Sequence, residues 1–237
     1  NAAPTLTQVN PLSGAEEDTA FPLTFAALAL AANEADDGGS VVAFAISTVD
    51  SSKGTLTINN SAWNASTNNR IDAGSQASWR PAADSNGTIT AAFAIRAIDD
   101  LGILSANAVD VNVAVLAIND APTISGVPST TTSLITGQSS PLPAISVADG
   151  DGDSLTVTLT ASNGSVGGVT DADTTSPGLQ LSGSASSINA ALAAATFTAA
   201  TDGAASLSLS VSDGSSVPTK ASLTYQASVT NTAPSLS

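Results

Sequence analysis

The chain contains no cysteine, no methionine and no histidine, and sets 5 basic residues against 20 acidic ones. Without cysteine there are no disulfides, thiol nucleophiles or thiolate metal ligands. Without histidine a serine triad lacks its usual base, and no glycine-rich loop of the phosphate-cradling kind occurs. A glycosidase-like carboxylate pair is the one catalytic arrangement left open, but the acids lie at turns, so the expectation is a protein that is not an enzyme. A net charge of −15 leaves nothing to neutralise phosphates, which argues against nucleic acid and anionic membrane surfaces as partners. No apolar run approaches the roughly 18 residues of a membrane span, and no signal-peptide pattern opens the chain. The absence of methionine reads as a piece taken from a longer protein, and the absence of cysteine is compatible with export.

Hydrophobic residues make up 42% of the sequence, but aromatics only 3%. Much of the apolar content is Ala, so cores must be filled by Val, Leu, Ile and a few Phe. Thin cores of this kind suit β-sandwiches better than sheets covered by helices on both faces. The organising feature is a recurring segment: Asn1-Ala2-Ala3-Pro4-Thr5-Leu6, Asn119-Asp120-Ala121-Pro122-Thr123-Ile124 and Asn231-Thr232-Ala233-Pro234-Ser235-Leu236. The interval is that of a domain, not of a solenoid turn. Proline fixes its own φ and biases the preceding residue towards extended backbone, so each copy reads as a joint leading into a strand. Two tandem domains are expected, at residues 1–120 and 121–232, with residues 233–237 opening a third.

Alternating apolar residues mark strands: Phe21, Leu23 and Phe25; Val42, Phe44 and Ile46; Leu56 and Ile58; Ala91, Phe93, Ile95 and Ala97; Val109 to Val115; Leu155, Val157 and Leu159; Leu207, Leu209 and Val211; Leu223, Tyr225, Ala227 and Val229. Ala27 to Ala32 is helical in composition, but its alternating neighbours favour an extended reading. Ser186 to Ala195 has a serine cap and Ile188 and Leu192 at helical spacing, which predicts a short helix. About seven short strands per domain, separated by turn signals, predict an all-β chain of two Ig-like Greek-key sandwiches, with the short helix in the second.

The acids gather at turns: Glu16-Glu17-Asp18, Glu34-Ala35-Asp36-Asp37, Asp99-Asp100, Asp149-Gly150-Asp151-Gly152-Asp153 and Asp213-Gly214. Asp and Gly are ordinary turn residues, and Asp171-Ala172-Asp173 reads as a solvated loop. Three carboxylates in five residues at Asp149–Asp153 repel one another, which a turn does not require; a hard cation such as Ca²⁺ takes 6–8 oxygens of this kind. An EF-hand is excluded, because Ser154 holds its glycine position, Thr160 its bidentate glutamate position, and a strand follows.

Taken together, the joints and acidic turns resemble the cadherin-like tandem repeats of large bacterial surface proteins. The resemblance rests on Asn119-Asp120-Ala121-Pro122, one residue shorter than the cadherin linker. It rests also on Asp149-Gly150-Asp151 and Glu34-Ala35-Asp36, which are similar to the Asp-x-Asp motif. Ala97-Ile98-Asp99-Asp100-Leu101-Gly102 and Val211-Ser212-Asp213-Gly214 are similar to the Ala-x-Asp-x-Gly motif, and Glu17 to the glutamate that opens such repeats. What the resemblance implies is Ca²⁺ at the junctions between domains. Glu17, Asp84, Asp120, Asp149, Asp151 and Asp213 would serve the central junction. Glu34, Asp36 and Asp99 or Asp100 would face a site shared with a preceding repeat. Ala117 stands where cadherins carry a further linker Asp, and Asp120 is matched by Ala2 and Thr232 in the other joints. The second domain has no Glu, so its far junction is expected to bind Ca²⁺ weakly or not at all.

The function so implied is a calcium-stiffened structural or adhesive repeat of an extracellular or cell-surface protein, whose partners are neighbouring repeats. A homophilic partner is a further option. The alternative is a carbohydrate-binding module in which Trp63 and Trp79 stack on polysaccharide, although core packing is the stronger reading for both. Asn64-Ala65-Ser66, Asn86-Gly87-Thr88 and Asn163-Gly164-Ser165 match the N-glycosylation pattern, which arises by chance in a chain this rich in Asn, Ser and Thr.

Overall fold

A computed structural model describes residues 2–229; the third joint and the start of a further repeat lie outside them. The chain divides into two compact units, Asn1–Ile118 and Asn119–Ser237. Both are built of β-sheets, each unit carrying one short helix.

In the first unit the strands are β1 (Leu12–Glu16), β2 (Phe21–Leu23), β3 (Val41–Val49), β4 (Gly54–Ile58), β5 (Ser61–Ala62), β6 (Arg70–Asp72), β7 (Ala77–Pro81), β8 (Gly87–Asp99) and β9 (Val109–Leu116), with helix α1 (Phe25–Ala31) after β2. They form two sheets, ordered β1-β9-β8-β3-β6 and β2-β7-β4-β5. Alternation decides which face each strand buries: Val111, Val113 and Val115 of β9 point inward with Phe93 and Ile95 of β8 and Phe44 and Ile46 of β3. Leu23, Leu56, Ile58 and Trp79 fill the core from the second sheet. Each such side chain contributes about 1.5–3 kcal/mol by leaving water. Two expectations need correction. Phe25 and Ala27–Ala31 belong to helix α1, not to strands, and Ala32 closes the helix in extended backbone. Thr24 caps it by accepting from the Ala27 N–H at 3.1 Å, and Leu28 is its buried anchor. The strand expected at Ile89–Ile98 is longer and carries a bulge. Ala91 has φ +49° and donates its N–H to Asn112 Oδ1, so the register shifts and Ala92, not Ala91, is buried.

The second unit comprises β10 (Thr123–Ser125), β11 (Thr132–Ile135), β12 (Ser139–Pro141), β13 (Ser146–Ala148), β14 (Leu155–Ser162), β15 (Gly164–Gly167), β16 (Leu179–Gly183), β17 (Thr196–Ala199), β18 (Gly203–Ser212) and β19 (Thr219–Ser228), with helix α2 (Ala185–Ala194) between β16 and β17. Its sheets run β11-β19-β18-β14-β16 and β12-β17-β15, with β10 paired to β13. The helix occurs as read from the sequence, but its cap is Ser184, which accepts from Ser187 N–H, and Ile188 and Leu192 are buried. Val157 and Leu159 of β14 lie opposite Val211 and Leu209 of β18, and Leu207 lies opposite Leu223 of β19, so one face is a continuous apolar layer. Phe197 on the smaller sheet stacks on Tyr225 of the larger, with ring centroids 4.7 Å apart.

The strand counts exceed the expected seven, because each unit carries short accessory pairings such as β5 and β10. The two topologies nevertheless correspond strand for strand. In each unit the first strand of the large sheet pairs in parallel with the last (β1 with β9, β11 with β19). In each, the chain passes from the large sheet to the small one and back before returning to the small sheet (β3, β4, β6, β7 and β14, β15, β16, β17). Among the described residues no helix is long and apolar enough to cross a membrane.

Candidate cation-binding loops

In the first unit, the segment after α1 is held extended by the bridges Val9–Ala32 and Thr5–Ala35. Asn33 fastens it further, its Oδ1 accepting from Thr7 N–H and Gln8 N–H at 3.0 and 2.8 Å. In extended backbone alternate residues share a face, so Glu34 and Asp36 project together, away from Ala35. The Asp99-Asp100 turn at the end of β8 meets them: Asp36, Asp99 and Asp100 each offer a carboxylate oxygen within 4.8 Å of the others. Asp99 is 1% exposed and is oriented by its own turn, Oδ1 accepting from Leu101 N–H at 3.0 Å and Ile103 N–H at 2.6 Å. Both oxygens of Asp36, and Oε2 of Glu34, are buried and accept no hydrogen bond. Burial pushes the Glu34 carboxyl above its ordinary value. Gly39 completes the group, since a Cβ there would run into Asp36 Oδ2 and come within 2.8 Å of Asp100 Oδ1.

Desolvated carboxylates this close repel one another and demand a counter-charge. For Glu34 and Asp36 the ion-paired basic side chains do not supply it: Lys53 pairs with Asp50 and Arg70 with Asp72. Arg96 is turned to the Ser105 carbonyl.

The corresponding loops of the second unit hold Asp149, Asp151 and Asp153, whose oxygens again lie within 4.8 Å of one another. Asp149 Oδ1 accepts from Asp153 N–H at 3.0 Å, while Asp149 Oδ2 is buried and accepts no hydrogen bond. The joint residues are fastened to these loops. Asp120 donates its N–H to Asp151 Oδ2 at 2.7 Å, and Asn119 Nδ2 donates to Asp213 Oδ2 at 2.8 Å. Asp213 also accepts from Ser216 N–H, Ser215 N–H and Ser216 Oγ–H. The Asn119 amide first, and these bonds after it, hold its carboxyl well below the usual range.

Glu17 and Asp84 fall elsewhere in the first unit. Glu17 is 1% exposed, and its carboxylate accepts from Ile118 N–H at 2.5 Å and from Asn86 Nδ2 at 3.2 Å, tying the last residues of the unit to the β1–β2 turn. Asp84 lies within 4.8 Å of Asp18, and both have φ +56°. In the sequence Asp18 shows only as a member of the Glu16-Glu17-Asp18 turn, and Asp153 as one of three crowded carboxylates outside the implied ligand set; the cradle at Gly39 does not show there.

The tryptophans are committed to packing. Trp79 is fully buried, and Trp63 is half-buried against the same core with its indole N–H donating to the Ile46 carbonyl at 3.2 Å. Trp79 therefore presents no face to a sugar.

No protein-family model matches the chain, and no curated protein sequence matches it. Among solved structures, it is similar to human mucin-like protocadherin EC1-2, at 13% identity and a TM-score of 0.43, over 97% of this chain and 100% of that one. It is also similar to protocadherin gamma B7 extracellular cadherin domains 1-4, at 12% identity and a TM-score of 0.46, over 94% of this chain; there it spans 49%, about half, of the other chain. The fibronectin(III)-like modules of Clostridium thermocellum CbhA match at 13% identity and a TM-score of 0.28, over 94% of this chain and 93% of that one.

Proposed function

We propose that the chain is a pair of structural repeats from a longer extracellular protein, and that Ca²⁺ bound at its acidic loops stiffens them. The observation that carries this reading is the group in the first unit: buried Glu34 and Asp36 oxygens that accept no hydrogen bond, aimed alongside Asp100 around a glycine that leaves room. The donor set is all oxygen, without imidazole or thiolate, which selects a hard cation. Glu34, Asp36, Asp99 and Asp100 would hold the ion in the first unit, and Asp149, Asp151, Asp153 and Asp213 in the second. Asp120 and Asn119, fastened to the second set, would bring the joint under its control, with Glu17 and Asp84 serving the same joint from the first unit. Bound Ca²⁺ supplies charge neutralisation and nothing redox or acid–base.

In this reading the residues' own part is mechanical. Carboxylates crowded without metal push their loops apart; neutralised, they pin the turn after β8 to the segment after α1. A cation that binds only the folded arrangement stabilises it by mass action, about 2.7 kcal/mol at a hundredfold excess over Kd. The partners are then the neighbouring repeats of the same long protein.

Calorimetric titration with CaCl₂ of the chelator-treated chain, and of Asp36→Asn, tests the proposal. Heat of binding in the parent, with fewer binding equivalents in the variant, supports it. No binding at millimolar Ca²⁺ by the parent would leave the acidic loops as ordinary turns.

A further inference from the structure

The sequence holds two Asn-Gly pairs, Asn86-Gly87 and Asn163-Gly164. Asn-Gly is the dipeptide most prone to intramolecular amide attack, because glycine has no Cβ to keep its nitrogen from the preceding side chain. The fold treats the two pairs in opposite ways. Asn163 is locked from both ends: Nδ2 donates to the Thr201 and Ala204 carbonyls at 3.0 and 3.1 Å, and Oδ1 accepts from Thr201 N–H and Oγ1–H at 3.1 and 2.7 Å. Gly164 lies beneath the Phe197 ring, where even a Cβ would come within 2.5 Å of Cζ. Asn86 is exposed, at the open end of the β8–β9 ladder where Gly87 pairs with Val115. Its side chain makes a single hydrogen bond, of 3.2 Å, to Glu17 Oε2. Gly87 has open space around it and φ +79°.

We propose that Asn86 is a deamidation site, and that its conversion rewires the carboxylate that fastens the end of the first unit. The Gly87 nitrogen attacks Asn86 Cγ. The new N–Cγ bond closes a succinimide as the Cγ–Nδ2 bond breaks, and ammonia leaves carrying the Gly87 amide proton. Water then opens the ring, at Cγ to give aspartate or at the main-chain carbonyl to give isoaspartate. The balance is amide plus water to carboxylic acid plus ammonia, with no oxidant or enzyme required. The Glu17 carboxylate beside Nδ2 favours the departing nitrogen as it gains positive charge.

The product matters because of where it forms. Glu17 is buried and accepts from both Asn86 and Ile118. Deamidation replaces a donor to Glu17 with a second carboxylate, in the same turn region as the close pair Asp18 and Asp84. A carboxylate at residue 86 has no N–H to give Glu17 Oε2 and presents it with oxygen instead, so the ageing product loosens the Glu17 clamp on Ile118.

The test is incubation of the folded chain at mildly alkaline pH, followed by tryptic digestion and mass spectrometry. Arg80 precedes Pro81, so trypsin yields one peptide from Ile71 to Arg96 in which Asn86 is the only asparagine, while Asn163 falls in the peptide from Ala97 to Lys220. We expect residue 86 to gain about 1 Da, at least about tenfold faster than residue 163, a ratio equal to the net worth of a single lost hydrogen bond. Repeating the incubation in denaturant should bring the two rates together. Equal rates in the folded chain, or faster reaction at Asn163, would overturn the site assignment. For the consequence, Asn86→Asp should lower the unfolding midpoint measured in chelator, and an unchanged midpoint would overturn it.

Discussion

At the scale of single residues, the chain separates carboxylates that are satisfied from carboxylates that are not. Asp173 belongs to the first kind. Hydrogen bonds from Ser176 Oγ–H, then from Thr175 Oγ1–H and N–H, lower its carboxyl from 3.8 to about 2. A depressed folded-state value means the stabilisation is present above 3.8 and lost as pH falls towards 2. Acid titration of unfolding should therefore show Asp173→Ala with a shallower loss of stability across that interval than the parent. Asp36 belongs to the second kind, its buried oxygens accepting nothing. Scanning calorimetry should find Asp36→Asn more stable than the parent in chelator, by a few degrees, and less stabilised by added Ca²⁺; a variant less stable in both conditions would mark Asp36 as a plain structural residue. Gly39→Ala drives a methyl group into Asp36 Oδ2 and should abolish the calcium response of the first unit while leaving that of the Asp149–Asp153 loop unaffected. Asp36, Asp99 and Asp100 were visible in the sequence as turn acids. The space at Gly39 was not, because one of its two walls is Asp100, 61 residues further along the chain (100 − 39), while Asp36 forms the other.

At the scale of elements, both sandwiches use the same device of an aromatic ring lying over a strand glycine. Gly54 of β4 faces the Trp79 indole, whose atoms a Cβ would approach within 2.7 Å, and Gly164 of β15 faces Phe197. With so few aromatics, each ring is used to span the sandwich and close over bare backbone at once, as in the rescue of glycines by cross-strand aromatics. Gly54→Ala and Gly164→Ala should each cost about 1–3 kcal/mol, the usual penalty for overpacking, read as lower denaturant midpoints with unchanged slopes. Strands of strict alternation, such as Val109–Leu116 and Leu155–Ser162, could be read directly from the sequence. Helix α1 could not, because every residue from Phe25 to Ala31 is apolar and no period shows; its local signals are its Ala and Leu content and Thr24, a capping residue. The bulge at Ala91 was equally silent, since its cause is the Asn112 side chain on the neighbouring strand.

At the scale of the whole molecule, the recurrence of Asn-x-Ala-Pro carried the domain reading, and the folded chain falls into two units between Ile118 and Asn119. The shared crossing from large sheet to small and back was not legible, because it depends on partners chosen across the fold. If Ca²⁺ acts at the joint as proposed, small-angle scattering should change from a broad to a narrow distribution of shapes on adding Ca²⁺, and Asp120→Ala should remove that change. Superimposable curves would mean a passive spacer. The pairing of first and last strands has a consequence for load. In each unit β1 or β11 runs parallel to β9 or β19, as in the register Thr132–Tyr225 to Ile135–Ser228. Tension applied at the two ends of a unit would pull these neighbours in opposite senses along their common axis. Their hydrogen bonds would then be sheared together instead of being unzipped singly, so each unit is built to resist stretching, whatever its thermal stability.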